Sequence, residues 1–342
     1  MTYFEVNEKD IIYNFDEISQ KTGVLVIPTL KANAYGLGAH HVSKLLRDEC
    51  GVHLFAVSRV EEADTLCRGV SVIVLSPYHD EKTLSLLVEN DRIITVDSLS
   101  QAKKISEIAV SSGKRARVHI KIDTGMSRIG YVASDGDNSE VVNEILRISK
   151  LANIETEGIF SHFATSDEED ETYTRLQFKR FMALCDDLEN AGLKIPIKHI
   201  CNSAAIMMYP EYHLDMVRPG LLMYGYGEHA KKLGLKPVMS MKTTVSTIKI
   251  YPAGTKVSYG GTFVTDKETR MGVVPYGYAD GFMRCLSNNY SLMTSDGAAA
   301  VRGRICMDMS MIDLTGKPGV DVGAVVEIFG EKNPLENMAN QA

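Results

Sequence analysis

The stretch GVLVIPTLKANAYGLG, Gly23 to Gly38, ends an apolar run on a lysine and then delivers a tyrosine and glycines. Its VLVI core, from Val24, reads as a short buried strand. Desolvating an ammonium is costly, so Lys31 at the end of such a strand either escapes to solvent or is present for its amine. Outward from this point the texture repeats. Short apolar runs begin at His53 (HLFAV), Val72 (VIVL), Arg92 (RIITV), Ala116 (ARVHIKI), Glu157 (EGIFS), Ile197 (IKHI) and Leu214 (LDMV). Between most of them lie segments such as SLSQAKKISEIAVSS, where apolar residues recur every three or four positions as on a helix. Eight βα units point to a TIM barrel, although a doubly wound open sheet shares the local pattern. After Gly234 helical periodicity gives way to β-rich runs broken by Gly, Pro and Asp. The expected organisation is α/β: a TIM (β/α)8 barrel over 1–230, followed by a C-terminal all-β domain over 231–342.

Composition narrows the function classes. A chain of 342 residues, 44% hydrophobic, can bury one large core or two smaller ones. The net charge of -7 and the lack of a sustained Lys/Arg run argue against nucleic acid or an anionic membrane as partner, leaving a small molecule. The opening MTYFEVNEKD carries acids where an export signal carries bases, and no apolar run approaches bilayer length. Six cysteines without a CxxC pair fit neither a disulfide framework nor a metal site, so a reduced, cytoplasmic setting is expected. The sixteen methionines read as core filler. The acidic SDEEDE at 166–171 reads as a solvated helix start.

Chemistry in a TIM barrel sits in the loops that follow the strands. Lys31 follows the first strand, Lys121 and Arg128 the fifth, His162 the sixth, Asn202 and Ser203 the seventh, and Arg218 with Gly220 the eighth. Taken singly, each has an ordinary role: a lysine snorkelling to water, an arginine in a salt bridge, a satisfied buried histidine. A ring of them at one mouth is hard to explain as solvated surface. A Ser followed by Ala-Ala, and a Pro-Gly before a short apolar segment, resemble a phosphate cradle of hydroxyl, backbone N–H groups and helix N-terminus. A phosphate anchor plus a lysine able to form a Schiff base is what pyridoxal 5'-phosphate (PLP) requires.

The motifs KANAYGLG, KIDTGMSRIG, SHFATSDEED, NSAA, VRPGLLMYG, VSYG, GYADGF and GRICMDMSMIDLT occur in this order, and through them the chain resembles the alanine racemases over nearly its whole length. The resemblance implies a PLP-dependent homodimer that interconverts L- and D-alanine by a two-base mechanism and supplies D-alanine for peptidoglycan. In it Lys31 carries the cofactor, and Tyr259 of VSYG arrives from the partner subunit as the second base. It further implies that Tyr35 and Ser203, with the backbone around Gly220 and Leu221, hold the phosphate, and that Arg218 faces the pyridine nitrogen. His162 is expected between Arg218 and Tyr259, while Arg128 and the partner's Met307 and Asp308 shape the substrate site. Lys121 is a residue the family often carries as a carbamate paired with the motif arginine; the alternative is a plain lysine in an ion pair. Tyr278, in GYADGF, reads as structural or as part of an entry channel. Beyond ENMANQA, family members usually continue into an Arg-rich, Tyr-containing segment bordering the pocket; the expectation is either that the sequence is truncated there or that the protein manages without that segment, and pocket shape and substrate choice stay open with it. Three rivals remain: a serine or broad-specificity racemase; a PLP-dependent decarboxylase, which pairs the pyridine nitrogen with a carboxylate; and a PLP-binding protein without turnover, whose relatives lack a β domain.

Overall fold

The computed structural model describes residues 1–342, the side chain of Glu228 excepted. The chain divides into two compact units, Lys9–Lys236 and a second built from Met1–Glu8 with Pro237–Ala342. Here the fold departs from the expected 1–230 and 231–342. The first strand, β1 (Tyr3–Val6), pairs antiparallel with β11 (Met239–Thr244), so Tyr3 stands opposite Lys242. Lys242 also donates to the Glu5 carboxylate. Such a partnership joins residues more than 230 positions apart, and local periodicity carries no sign of it.

In the first unit all eight expected parallel strands form: β2 (Leu25–Val26), β3 (Leu54–Val57), β4 (Ser71–Val74), β5 (Ile93–Val96), β6 (Ala116–Asp123), β8 (Ile154–Phe160), β9 (Ile197–His199) and β10 (Met216–Val217). A two-residue strand, β7 (Tyr131–Val132), sits in the loop after β6 and pairs with its end. The order β3-β4-β5-β6-β8-β9 runs through one sheet, and β10 pairs with β2. Backbone hydrogen bonds join the two pieces into a ring. Leu30 N–H donates to Ala56 O (2.8 Å) and Ala56 N–H to Pro28 O (3.0 Å), while Asp215 N–H donates to Lys198 O and Arg218 N–H to Cys201 O (both 3.1 Å). The open-sheet alternative is thereby excluded, because a closed ring has no edge strand. Ile27, Ala56, Ile73, Ile93 and Met216 share one buried apolar cluster.

Strand β6 decides what the barrel interior can do. In ARVHIKID, Val118, Ile120 and Ile122 alternate with Arg117, His119, Lys121 and Asp123, so a period of two puts every polar group on one face. His119 reaches His199 on β9, past the intervening β8. Gly158 on β8 makes the crossing possible, since a Cβ there would lie 2.5 Å from the His119 ring. The amphipathic helices follow their caps: Asp80 accepts from Thr83 N–H ahead of Glu81–Glu89, and Ser98 accepts from Gln101 N–H ahead of Leu99–Ser111. The acidic run 166–171 is a loop, not the first turn of a helix, because the helix begins at Thr172. Asp170 accepts the Thr172 N–H and Glu171 pairs with Arg175, local bonds that compete with continuing the helix backwards.

The second unit is all-β. A five-stranded sheet runs β1-β11-β19-β16-β17, a three-stranded one β12-β15-β18, and β13 and β14 form a hairpin. Their spans are β12 (Thr247–Tyr251), β13 (Lys256–Val257), β14 (Phe263–Val264), β15 (Thr269–Val274), β16 (Ser291–Thr294), β17 (Gly297–Ala300), β18 (Ser310–Asp313) and β19 (Val325–Phe329). Val274, Phe282, Leu292, Ile312, Val326 and Ile328 are the heart of its core. No helix among the described residues is long and apolar enough to cross a membrane.

Candidate active site

The loops after the barrel strands enclose a cavity of about 870 Å³. Lys31, Tyr35, Lys121, Arg128 and His162 line it, as do Asn202, Ser203, Arg218, Gly220 and Leu221. Every residue the sequence placed at the mouth therefore meets there.

Lys31 opens a turn of unusual hand. Ala32, Asn33, Ala34 and Tyr35 follow with φ of 51°, 56°, 55° and 56°, a left-handed helical turn of L residues. Such a conformation costs roughly 1–2 kcal/mol per residue and persists only where surrounding bonds over-determine it. The turn places Tyr35 back towards its own lysine, with Lys31 Nζ 5.8 Å from the ring centre. It also places Tyr35 Oη against Gly220, where a Cβ would stand only 2.3 Å from the hydroxyl. Ser203 Oγ accepts from Gly220 N–H (2.9 Å) and Leu222 N–H (3.4 Å). A phenol, a hydroxyl and a run of backbone N–H groups thus converge in a space that only glycine leaves open. This donor set fits a phosphate, and burial raises the Tyr35 pKa, keeping the phenol a neutral donor. Asn202 frames the cradle by capping: its Oδ1 accepts from Ala205 N–H (3.0 Å) and from Ser166 Oγ (2.9 Å).

Across the cavity, Arg218 is held on several sides. One of its Nη groups donates to His199 Nδ1, and the other to Ser161 O (2.8 Å), Ile200 O (3.1 Å) and His162 Nδ1 (3.4 Å). Burial pulls its pKa down to about 10, which leaves it a cation at neutral pH. The chain continues inward. Because His199 Nδ1 accepts from Arg218, its Nε2 carries the proton and donates to His119 Nδ1 at 2.8 Å. Burial and the charges of Arg218 and its neighbours depress all three imidazoles, His119 to about 3 and His162 and His199 well below the ordinary range, so they stay neutral. Phe160 lies beneath, stacked on His199 at 4.9 Å, with Arg218 and Lys121 each 5.4 Å from its ring centre.

Lys121 is buried, and its Nζ donates to Ile122 O at 2.6 Å. Desolvation, with help from Arg218 and Arg128 and against Asp123, lowers its pKa to about 7. Much of it is therefore a free, nucleophilic amine at neutral pH. The Arg128 loop is shaped by Asp123, whose carboxylate accepts from the N–H groups of Gly125, Ser127 and Arg128.

Tyr259, Met307 and Asp308 belong to the β unit and are exposed, Tyr259 at 70% and Met307 at 55%. Their loops are braced together. Ser258, at φ 62°, donates from Oγ to Arg304 O (2.6 Å), and Tyr278 and Ala279 donate their N–H groups to Cys306 O and Met307 O. The Tyr278 bond is a main-chain one; its side chain is exposed, with Arg284 5.8 Å from the ring centre.

Sequence reasoning did not identify His119, His199, Phe160 or Asp123. The signal for His119 was present, as it shares the Lys121 face of an alternating strand. His199 and Phe160 acquire their roles only from neighbours on other strands.

Two family models match the chain, the alanine racemase N-terminal domain over residues 6–228 and the alanine racemase C-terminal domain over residues 238–342. Alanine racemase 2 of Caldanaerobacter subterraneus subsp. tengcongensis is 45% identical, covering 97% of this chain and 86% of its own. The alanine racemase of Methanococcus maripaludis is 43% identical over 98% of this chain and 92% of its own. Among solved structures, alanine racemase from Clostridium difficile 630 has a TM-score of 0.92 at 37% identity, covering 99% of this chain and 90% of that one. Alanine racemase from Bartonella henselae, solved with covalently bound pyridoxal phosphate, has a TM-score of 0.88 at 26% identity, covering 99% and 93%. With both domain models matched in order and relatives of this identity across nearly the whole sequence, the chain belongs to the alanine racemase family.

Proposed function

We propose that this protein interconverts L-alanine and D-alanine with PLP held at the barrel mouth. The observation that carries the reading is the convergence of Lys31, Arg218 and the Tyr35–Ser203–Gly220 cradle on one cavity. When bound, the cofactor supplies an electron sink that acidifies the substrate α-carbon. Lys31 would hold its aldehyde carbon, and the Lys31 amine would move a proton on one face of the substrate. Tyr35, Ser203 and the backbone of Gly220 and Leu221 would hold its phosphate, with Asn202 capping the helix behind Ser203. Arg218 would donate a hydrogen bond to the pyridine nitrogen and, with its pKa near 10, would keep its proton there at neutral pH. A decarboxylase would place a carboxylate at that position. His162, neutral and bonded to Arg218, adds no further charge beside that cation.

The second base is Tyr259 of a second copy, with Met307 and Asp308 of that copy closing the substrate side opposite Arg128. Their exposure on the β unit supports a homodimer with shared sites. The neutral Lys121 amine adds to carbon dioxide and loses one N–H proton to solvent, giving a carbamate whose negative charge pairs with Arg128; the low pKa of its buried amine supports this. The D-alanine produced serves peptidoglycan synthesis in the cytoplasm.

A panel of L-amino acids in deuterium oxide tests the reaction and the substrate together. Alanine should exchange its α-hydrogen fastest and lose optical purity, with serine, larger by one hydroxyl, next. Absence of exchange with any amino acid, or carbon dioxide release without a D-isomer, sinks the proposal.

A further inference from the structure

Resting on Lys31 as the cofactor lysine, we propose that Glu62 is the positioning residue of that lysine. The left-handed turn from Ala32 to Tyr35 is secured at its far end by its own bonds. Gly36 N–H donates to Ala32 O (3.0 Å), Gly38 N–H donates to Asn33 O (3.0 Å), and Ala39 N–H donates to Asn33 Oδ1 (2.8 Å). At its start Ala34 N–H donates to Leu30 O (2.9 Å), and a second tie comes from elsewhere in the chain: Ala32 N–H donates to Glu62 Oε1 at 2.8 Å. The other oxygen of the same carboxylate accepts from Ser58 N–H (2.9 Å) and Arg59 N–H (3.0 Å), in the loop after β3. The Glu62 side chain is largely buried, at 12% exposure. Burial works to raise its pKa, yet the N–H groups of Ala32, Arg59 and Ser58 prevail and hold it below the ordinary value.

Ala32 N–H lies in the peptide plane that begins with the carbonyl of Lys31. Fixing that N–H fixes the plane, and with it the backbone direction from which the Lys31 side chain departs. Capping explains one of the three bonds, because Glu62 is the third residue of the short helix Val60–Ala63 and accepts the N–H of its cap residue, Arg59, and the Ser58 bond extends the same contact by one residue. It does not explain the bond to Ala32, 30 residues away on the loop of a neighbouring strand.

Glu62→Ala and Glu62→Gln, made in the full-length protein with its cofactor, test the assignment; Gln keeps the size and one acceptor oxygen should Ala compromise folding. Amide exchange at Ala32 should accelerate by about tenfold or more in both variants, in the loaded and the cofactor-free protein alike, because the one oxygen of Gln is claimed by the two N–H groups of Ser58 and Arg59 and its NH2 then faces Ala32 N–H. For a reacting group misplaced by about 1 Å, kcat should fall roughly 10- to 100-fold, with KM within about threefold. Borohydride reduction should still leave the pyridoxyl label on Lys31. Faster exchange confined to Ser58–Ala63, with Ala32 exchange and kcat unchanged, would mean a cap and nothing more, and would overturn the proposal. Label on another lysine in the unmutated protein would instead refute the reading of Lys31, and this role with it.

Discussion

Gly220→Ala tests the phosphate cradle at its tightest point. A Cβ at residue 220 would sit 2.3 Å from Tyr35 Oη and 3.1 Å from Tyr35 Cζ. Comfortable contact begins at roughly 3.5 Å, so the phenol must retreat by about 1.2 Å. That is enough to break a hydrogen bond whose optimum is near 2.7 Å. A hydrogen bond to a charged group contributes about 1.5–3 kcal/mol, so affinity for PLP should fall about 10- to 150-fold. Tyr35→Phe removes the same hydroxyl and should cost about as much. The double variant is the sharper measurement: with the hydroxyl already lost, alanine at 220 has little left to displace, and the two losses should not multiply. Titrating the cofactor-free proteins with PLP, by absorbance, gives all four dissociation constants, with thermal unfolding to confirm that the fold is kept. Gly220→Ala binding within about twofold of wild type, or a double variant showing the full product of the single losses, would refute the argument.

Lys121→Met should stabilise the protein by about 2–4 kcal/mol at pH 6 in carbon-dioxide-free buffer, because it removes a buried charge that the fold holds at a penalty. The folded-state pKa of Lys121, about 7, lies below the ordinary 10.5, so the unfolded chain binds the extra proton between these values. Wild-type stability therefore rises across that window and the advantage of the variant shrinks; urea unfolding at pH 6 and pH 9.5 that shows no difference, or a constant one, contradicts this. Lys31→Ala and Tyr259→Phe should each be nearly inactive. When the two are unfolded together and reassembled, about half the dimers are mixed and each has one intact site, so activity should return to roughly a quarter of wild type. Mixed dimers that form and stay inactive would place both groups in one chain's site.

Much of this protein is local in origin, and that much was legible before any coordinates. The eight barrel strands announce themselves as short apolar runs, since a parallel strand covered on both faces has few positions to give to polar residues. The polar residues that follow those runs were therefore exceptions with a meaning, and all of those named, from Lys31 to Arg218, line one cavity. Strand β6 shows where legibility ends. Its alternation puts His119 on the Lys121 face, but the link to His199 depends on Gly158 leaving space on the strand between. The N-terminal residues show it again: TYFEV has the composition of a strand, and only pairing with Met239–Thr244 assigns it to the β unit. The left-handed turn after Lys31 is hidden more deeply, because KANAY contains no residue that prefers positive φ strongly enough to predict four in a row. Periodicity and turn chemistry are properties of neighbours in the chain, which is why sequence determines elements and their order. Which carboxylate holds Ala32, and which imidazole supports Arg218, is decided by the closure of the barrel, where residues tens of positions apart come within hydrogen-bonding distance.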